Sequence, residues 1–497
     1  MKIVFASSEV APFSKSGGLA DVSAALPAAL EKLGHQTCVF TPGYRGIVDQ
    51  GHAIQNANIE FTVPVGSKQV AGRLLLGRLP GTSVPVYFVD QPEYFDRPGL
   101  YGDDGRDYED NCARFVFFCR AILEATQRLG LKPDVIHSND WQTGLLGAYL
   151  KTQHAQHEFF RDTAVVFTIH NLAYQGLFWH WDMLLTGLDW ELFNWRQMEY
   201  FGQLNLMKTG IVFADALTTV SPTYALEIQG EEQGFGLQQV LQHRRDYLIG
   251  ILNGIDTEVW NPTEDVHLAA RFDRSNWRQG KSLCKQDLQR QLSLAVEPGV
   301  PLIGSVGRLA SQKGWALLLP VMRHWLSTIN AQWVVLGTGQ AEYESALRHL
   351  QRTYPHKLSV QLQFSDALAH RIEAGADMFV MPSRYEPCGL NQMYSMAYGT
   401  VPVVRRTGGL ADTVVEASRE NLARNTATGF LFSEYRPEAL EQALARAVHC
   451  YLNDPHAWGQ LVETGMSRDW SWSASAHRYQ QVYARASVLR KSDGQRA

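Results

Sequence analysis

Several signatures are missing from this chain of 497 residues, and each absence removes a class of function. Six cysteines are scattered at positions 38, 112, 119, 284, 388 and 450, and no two stand in a C-x-x-C pair. That spacing carries most zinc and dithiol motifs, so neither chemistry is expected. So low a count suits a reducing compartment better than a disulfide framework. No apolar run approaches membrane-spanning length. The first residues enter an apolar stretch directly, without a charged and then apolar leader. A cytoplasmic protein with no membrane partner is expected. Basic residues cluster no further than pairs such as Arg244-Arg245 and Arg405-Arg406, and the formal charge is −5, so no nucleic-acid partner is expected. No Asp-x-Asp triplet occurs. A metal held between two carboxylates at that spacing is therefore not expected, and neither is any other cofactor.

What is present is an alternation. Hydrophobic residues make up 45% of the chain, enough for large cores and for two to three domains at this length. Short apolar runs alternate with amphipathic stretches, the pattern of parallel α/β sheets. In the first half this predicts strands at 2–7, 37–41, 86–90, 134–138, 164–169, 216–220 and 248–252. Helices are predicted near 19–33, 108–129, 142–153 and 199–213, and 91–110 reads as a functional or mobile loop. A polar, irregular stretch runs from Gly254 to about Lys281. A second alternation follows, with strands near 301–306, 332–337, 358–364, 378–382, 401–404 and 429–432. Its helices fall near 314–328, 341–352, 366–374, 389–398, 436–452 and 472–487. The expected fold is α/β, with two Rossmann-like doubly wound domains at 1–253 and 254–470 and ligand-binding loops at a shared cleft. Residues 471–497 would form a helix returning to the first domain and a polar, disordered tail.

The densest motif is Lys15-Ser-Gly-Gly-Leu-Ala-Asp21, between the first strand and the first helix. A glycine pair there lets backbone approach a ligand and turns N–H groups toward an anion. Lys15 adds a cation and Asp21 a hydroxyl acceptor, a set that suits a phosphorylated or sugar-bearing ligand. The pentapeptide Gly-Gly-Leu-Ala-Asp returns at 408–412, which reads as a reused strand-to-helix loop. Gly307-Arg308 and Lys313-Gly314 repeat the cradle, and two cations five residues apart can neutralise a diphosphate. Arg384-Tyr-Glu386-Pro-Cys-Gly-Leu-Asn391 places a carboxylate ahead of a helix start. By itself such a carboxylate is more often a satisfier of backbone donors; beside Arg308 and Lys313 the functional reading is stronger. His137-Ser-Asn-Asp140-Trp141 and His170-Asn171-Leu-Ala-Tyr-Gln-Gly176 close two strands with groups suited to sugars. Leu252-Asn253-Gly254-Ile-Asp256 is, on its own, a plain Asn-Gly turn.

Taken in order, these motifs resemble the bacterial glycogen synthase and plant starch synthase family over nearly the whole chain. The resemblance implies the GT-B arrangement and transfer of glucose from ADP-glucose to the non-reducing end of an α-1,4-glucan, with retention. It implies Glu386, Lys313, Arg308, His170 and Asp21 as catalytic residues. Donor binding would fall to Lys15, Gly17, Gly18, Leu19, Asn253, Phe364, Cys388, Gly389 and Leu390. The acceptor glucan would meet Glu9, Asp140, Trp141, Asn171 and Phe95. Three positions depart from the family pattern. Asn391 stands where bacterial members usually have Thr, Gln363-Phe364 where they often have Gly-Tyr, and Phe95 where an acceptor-side Tyr is common.

Other readings of the same fold stay open. A nucleotide-sugar epimerase would act without a glucan, and a phosphorylase would need a lysine for a pyridoxal Schiff base. A non-catalytic glucan-binding relative would have no use for Lys15, Arg308, Lys313 and Glu386 together.

Overall fold

The computed structural model describes residues 1–49 and 51–494. The chain divides into two compact units. The first holds Met1–Val220, Ala225–Asn253 and the chain from Trp472 onward; the second holds Ser221–Tyr224 and Gly254–Ser471.

The first unit is built on a nine-stranded sheet. Its order is Leu248–Gly250, Ala216–Thr219, Ala164–Ile169, Val135–Asn139, Lys2–Ala6, Gln36–Pro42, Pro85–Asp90, Lys68–Arg78, Gln55–Val65. The first seven run parallel, and the last two are added antiparallel. Strands such as Ala164–Ile169 are buried along their length, as parallel strands covered on both faces must be. That explains their unbroken runs of Val, Ile and Phe; each such side chain, fully buried, contributes about 1.5–3 kcal/mol. The helix Gly18–Lys32 buries Leu19, Val22, Leu26 and Leu30 at helical spacing. It ends at Gly34, whose φ of 82° suits the left-handed residue after a helix.

The hairpin Gln55–Arg78 was not among the expected elements. Its strands are apolar on one side only, with Phe61, Val63 and Val65 inward, so the signal is alternation rather than a run. Residues 199–213, expected as one helix, instead give strands Glu199–Tyr200 and Gln203–Asn205 and a helix Leu206–Phe213. Asn205 is the N-cap, its side chain accepting from Lys208 N. The segment 91–110 is anchored rather than mobile. The wholly buried Arg114 donates to Tyr94 O at 2.7 Å, Leu100 O at 2.9 Å and Asn111 Oδ1 at 2.6 Å. Residues 490–494, expected in a disordered tail, continue the helix Trp472–Gly494; residues 495–497 lie outside the described residues.

The second unit has a six-stranded sheet, all parallel. Its order is Leu358–Gln361, Gln332–Leu336, Leu302–Val306, Met378–Met381, Val401–Arg405, Phe430–Phe432. Reversal of strand order beside the first strand gives the doubly wound pattern, with loops that bear function after the strand C-termini. The stretch expected to be irregular to Lys281 already turns helical at Trp277, and Trp277–Gln291 packs against the helix Asp366–Gly375. The helix Pro455–Met466, begun by a proline behind the Asp454 cap, was also not expected.

Candidate active site

Each unit carries its own cluster at the C-terminal ends of its strands. In the first, Lys2–Ala6 leads into Glu9, and the glycine loop folds back over it. Glu9 is 4% exposed. Its Oε2 accepts from Ser16 N at 2.5 Å and Gly17 N at 3.2 Å; its Oε1 accepts from Ser16 Oγ at 2.6 Å and the Tyr101 hydroxyl at 2.7 Å. Two of the amides expected to face a ligand anion thus hold a carboxylate of the chain itself. Glu9 braces the loop, and the N–H groups still at the helix start belong to Gly18 and Leu19. Gly17 has extended backbone, and a Cβ there would meet nothing within 4 Å. Lys15 Nζ donates to Asp21 Oδ1 at 2.7 Å, and both side chains keep substantial exposure. Tyr101, which ties the 91–110 segment to this loop, was not singled out in the sequence. Its signal was only an aromatic hydroxyl in a Tyr- and Asp-rich loop.

The strand ends at Asn139 and Ile169 meet in one network. Asp140 has a φ of 52°, uncommon for a residue with a side chain and frequent at functional sites. Its Oδ1 accepts from His170 N at 2.8 Å, while burial pushes its carboxyl up to about 7. His170 Nε2 lies 2.8 Å from Asn139 Oδ1, and the Asn139 amide donates to Ala6 O. Asn139 Oδ1 is therefore an acceptor, His170 Nε2 carries the proton, and Nδ1 keeps a lone pair. Burial depresses the His170 imidazole to about 3, so the ring is neutral at any physiological pH. Asn171 closes an Asx turn to Ala173 N at 3.1 Å. Asn253 is buried, and its Oδ1 has no hydrogen-bond partner, the kind of orphan a ligand hydroxyl can satisfy.

Three aromatic expectations change. Phe95 is fully buried, 6.3 Å from Phe117, 6.4 Å from Phe118 and 5.8 Å from Tyr44, all centroid to centroid. It is a core residue and offers no surface to an acceptor. Trp141 is 9% exposed, covered by Phe115 at 4.9 Å and Phe178 at 5.7 Å. A Cβ on Gly176 would come within 2.5 Å of its ring. The indole is a packed wall rather than an open platform. His137, expected beside a saccharide, is fully buried between Thr168 Oγ1 and the Tyr483 hydroxyl, 2.5 and 2.8 Å away. It joins the sheet to the last helix.

In the second unit, Glu386 is 5% exposed. Lys313 Nζ donates to both its oxygens, at 2.9 and 2.7 Å, and Ser383 Oγ donates to Oε2 at 2.9 Å. Lys313 is held in place by Gly314, whose φ is 79°; a Cβ there would sit 2.0 Å from Pro382 O. Arg308 is exposed, with Nη2 3.5 Å from Gln312 Oε1. Gly389, at φ 70°, turns the chain from Cys388, which is buried, through Leu390 into the helix Asn391–Ala397. The departing residue Asn391 has a local role, since its amide donates to Val306 O at 2.8 Å and pins the helix start to the strand end beside Arg308. Phe364 is 86% exposed, just ahead of the Ser365 cap of the helix Asp366–Gly375. The second Gly-Gly-Leu-Ala-Asp loop carries the backbone beneath Glu386: Gly409 N donates to Glu386 O at 3.1 Å and lies 3.2 Å from Pro387 O.

Comparison with known proteins gives this geometry a family. Residues 2–243 match the starch synthase catalytic domain, and residues 290–463 match glycosyl transferases group 1. The glycogen synthase of Rhodopirellula baltica is 47% identical, over 99% of both chains. That of Anaeromyxobacter dehalogenans (strain 2CP-1) is 49% identical, over 97% of this chain and 98% of its own. The chain belongs to the glycogen and starch synthase family. The catalytic domain of starch synthase IV from Arabidopsis thaliana, bound to ADP and acarbose, superposes with a TM-score of 0.90 at 34% identity, covering 98% of this chain and 99% of that one. This glycosyltransferase fold is thus the two-domain α/β GT-B type. Among the described residues, no helix of this synthase-family member is long and apolar enough to cross a membrane. No group of three or more His, Cys, Asp or Glu is placed to hold a metal ion among them.

Proposed function

We propose that the protein transfers glucose from ADP-glucose to the non-reducing end of an α-1,4-glucan, with retention of the anomeric configuration. The observation that carries this reading is Glu386, a nearly buried carboxylate gripped by Lys313 and Ser383 just ahead of a helix start. Its support is membership of a family whose relatives are named glycogen synthase and whose solved starch synthase binds ADP.

Glycosyl transfer develops positive charge on the sugar and negative charge on the leaving phosphate. Lys313, Arg308 and Lys15, with the Gly18 and Leu19 amides, neutralise the diphosphate. Glu386 orients the glucose and offsets charge at the anomeric carbon. Asp21, the His170 Nδ1 lone pair and Asn253 Oδ1 accept from or orient its hydroxyls. Phe364 stacks on the base, and Cys388, Gly389 and Leu390 line the sugar-phosphate pocket. On the acceptor side act Asp140, Asn171 and the packed wall that Trp141 forms. The acceptor hydroxyl attacks on the face the phosphate leaves, and its proton passes to the departing phosphate oxygen. No metal or other cofactor takes part, and the enzyme works in the cytoplasm.

The test is incubation with ADP-glucose or UDP-glucose and a maltooligosaccharide, scoring chain length. Extension with ADP-glucose in the presence of EDTA is expected. Sugar interconversion without chain growth would replace this reading with an epimerase, and binding without turnover with a glucan-binding relative.

A further inference from the structure

One fully buried amide in the second unit reaches back to the Glu386 segment and takes no part in the transfer steps above. Gln392 is 0% exposed and stands on the first turn of the helix Asn391–Ala397. Its Nε2 donates to Cys388 O at 3.2 Å, to Gly389 O at 2.9 Å and to Thr413 Oγ1 at 3.1 Å. Carbonyl oxygens only accept, so the partners themselves fix which end of the amide is nitrogen. The Thr413 hydroxyl passes its own proton to Gly409 O at 2.6 Å. Gln392 therefore joins the turn after Glu386 to the second Gly-Gly-Leu-Ala-Asp loop.

Packing alone does not account for this side chain. Its Oε1 is buried and has no hydrogen-bond partner, and burying an unpaired carbonyl costs free energy. A methionine would fill nearly the same volume without that cost. What methionine could not do is hold two successive carbonyl groups on one side. In a trans peptide the C=O and the following N–H point in opposite directions. Drawing Cys388 O and Gly389 O toward Nε2 therefore turns the N–H groups of Gly389 and Leu390 the other way. Gly389 is left-handed, with a φ of 70°, and Leu390 is right-handed, at φ −117° and ψ −33°. A left-handed residue beside a right-handed one makes successive N–H groups converge, the concavity that holds anions. Both residues keep partial exposure, whereas Glu386, Pro387 and Cys388 before them are buried. A Cβ on Gly389 would lie 2.6 Å from Gln392 Oε1, so the turn closes tightly over the amide.

We propose that Gln392 is a positioning residue of the donor site: by holding Cys388 O and Gly389 O inward, it aims the Gly389 and Leu390 amides at the sugar-bearing phosphate. It touches no substrate and acts through the backbone. This rests on the ADP-glucose reading above. Charge builds on that phosphate as the glucosyl bond breaks, so amides already held in place stabilise the transition state more than the ground state.

The test compares Gln392→Met and Gln392→Asn, the second keeping an amide too short to reach both carbonyls, with Gln289→Met as control. Gln289 is equally buried and also has an unpartnered Oε1. Its Nε2 donates to Gln332 Oε1 at 2.7 Å, at the start of the strand Gln332–Leu336 and so at the end of the sheet away from the turn. Calorimetry gives the affinities for ADP and AMP, which differ by the sugar-bearing phosphate. Expected in both Gln392 variants are ADP binding at least tenfold weaker, AMP binding within twofold of wild type, kcat with ADP-glucose at least tenfold lower, and an unchanged KM for maltooligosaccharide. Gln289→Met should lower the melting temperature and leave the ADP to AMP ratio and kcat unaltered. A wild-type ratio and wild-type kcat per folded molecule in the Gln392 variants would overturn the proposal, whatever their melting temperatures. So would an equal change of the ratio in Gln289→Met, since any loosening of the unit would then produce it, and so would a wild type that binds AMP as tightly as ADP. If the wild type binds ADP but extends no maltooligosaccharide, the transfer reading fails, and the ADP to AMP ratio still decides what Gln392 aims.

Discussion

The same five residues, Gly-Gly-Leu-Ala-Asp, do opposite work at 17–21 and at 408–412. Both follow a parallel strand and both open a helix. At the first, Gly17 is extended and open to its surroundings, and Asp21 is paired with a half-exposed lysine. At the second, Gly408 has a φ of 44°, and a Cβ there would sit 1.9 Å from Glu386 O; one on Gly409 would sit 2.0 Å from Cys388 O. Asp412 accepts from Thr223 N at 2.9 Å and Thr223 Oγ1 at 2.6 Å. The first pair of glycines leaves room for a ligand. The second lets two stretches of backbone touch so that Glu386 is carried on a fixed base. A glycine motif specifies close approach, and its surroundings decide what approaches.

Alanine substitution should separate the two loops most sharply. Gly408→Ala and Gly409→Ala set a methyl against a carbonyl oxygen that no rotamer can move, at a cost of at least about 3 kcal/mol. Little folded protein should be recovered, and melting temperature should fall in whatever is. Gly17→Ala needs no unusual backbone and meets no neighbour, so its stability should stay within about 0.5 kcal/mol. Its loss should show in turnover and in ADP-glucose binding. A stable Gly409→Ala enzyme, or a Gly17→Ala enzyme with unaltered kinetics, would erase the distinction.

This contrast also marks the limit of what the sequence discloses. Strand 2–7, the glycine loop after it and the Glu386 segment were legible because buried parallel strands and Gly- or Pro-bearing loops leave local patterns. The hairpin Gln55–Arg78 was not, because one-sided alternation is weaker than a continuous apolar run. That Glu9 holds the loop amides was equally hidden: its partners Ser16, Gly17 and Tyr101 come from sequence distances of up to 92 residues. Phe95 and Trp141 were assigned by position in a motif, and only packing shows that their faces are covered. The helix Trp277–Gln291 was masked by a run of polar residues, although Trp277, Cys284 and Leu288 give it a buried side.

The packed loop exists to carry Glu386, so the next largest effect should come from that carboxylate. Glu386→Gln keeps the shape and can still meet Ser383, but it takes the negative charge from Lys313. Turnover should drop on the order of 10²–10³-fold, as for loss of one strong transition-state contact, with ADP-glucose affinity little changed. Kinetics, nucleotide-sugar binding and melting temperature measured on one preparation distinguish catalysis from support. A lower melting temperature with wild-type turnover would make Glu386 a brace like Glu9.

The open loop has its own support, and weakening it should cost less. Tyr101→Phe removes the hydroxyl that donates to Glu9 Oε1 and lies 2.8 Å from Ser8 Oγ. Glu9 keeps its three bonds to Ser16 and Gly17, so the destabilisation should be about 2–3 kcal/mol, the net worth of two hydrogen bonds, one of them to a carboxylate. If the hydroxyl serves only to hold the loop, KM for the donor should rise a few-fold while kcat holds. A kcat loss as large as that of Glu386→Gln would place Tyr101 against the substrate instead.

The smallest effect concerns pH and asks whether the strand end at Ile169 works with a neutral ring where the Glu386 segment works with an ion pair. Burial holds the His170 ring at about 3, below the ordinary 6.5, so the folded state favours its neutral form. The stabilisation tied to that ring is then complete above pH 6.5 and is lost as pH falls toward 3. Asp140 has the opposite sign. Its carboxyl is raised to about 7, so its contribution is complete below about 3.8 and is lost as pH rises through 7. A stability curve of the wild type alone mixes the two. The difference between wild type and His170→Gln isolates the ring, because the glutamine amide can still donate to Asn139 Oδ1 and does not titrate. The wild type should lose more stability than the variant as pH falls below 6.5. Nitrogen chemical shifts of His170 should stay those of the neutral ring at pH 5. An imidazolium signal at pH 5–6 would mean that the ring enters the site charged, and His170 and Glu386 would then both act as charged groups.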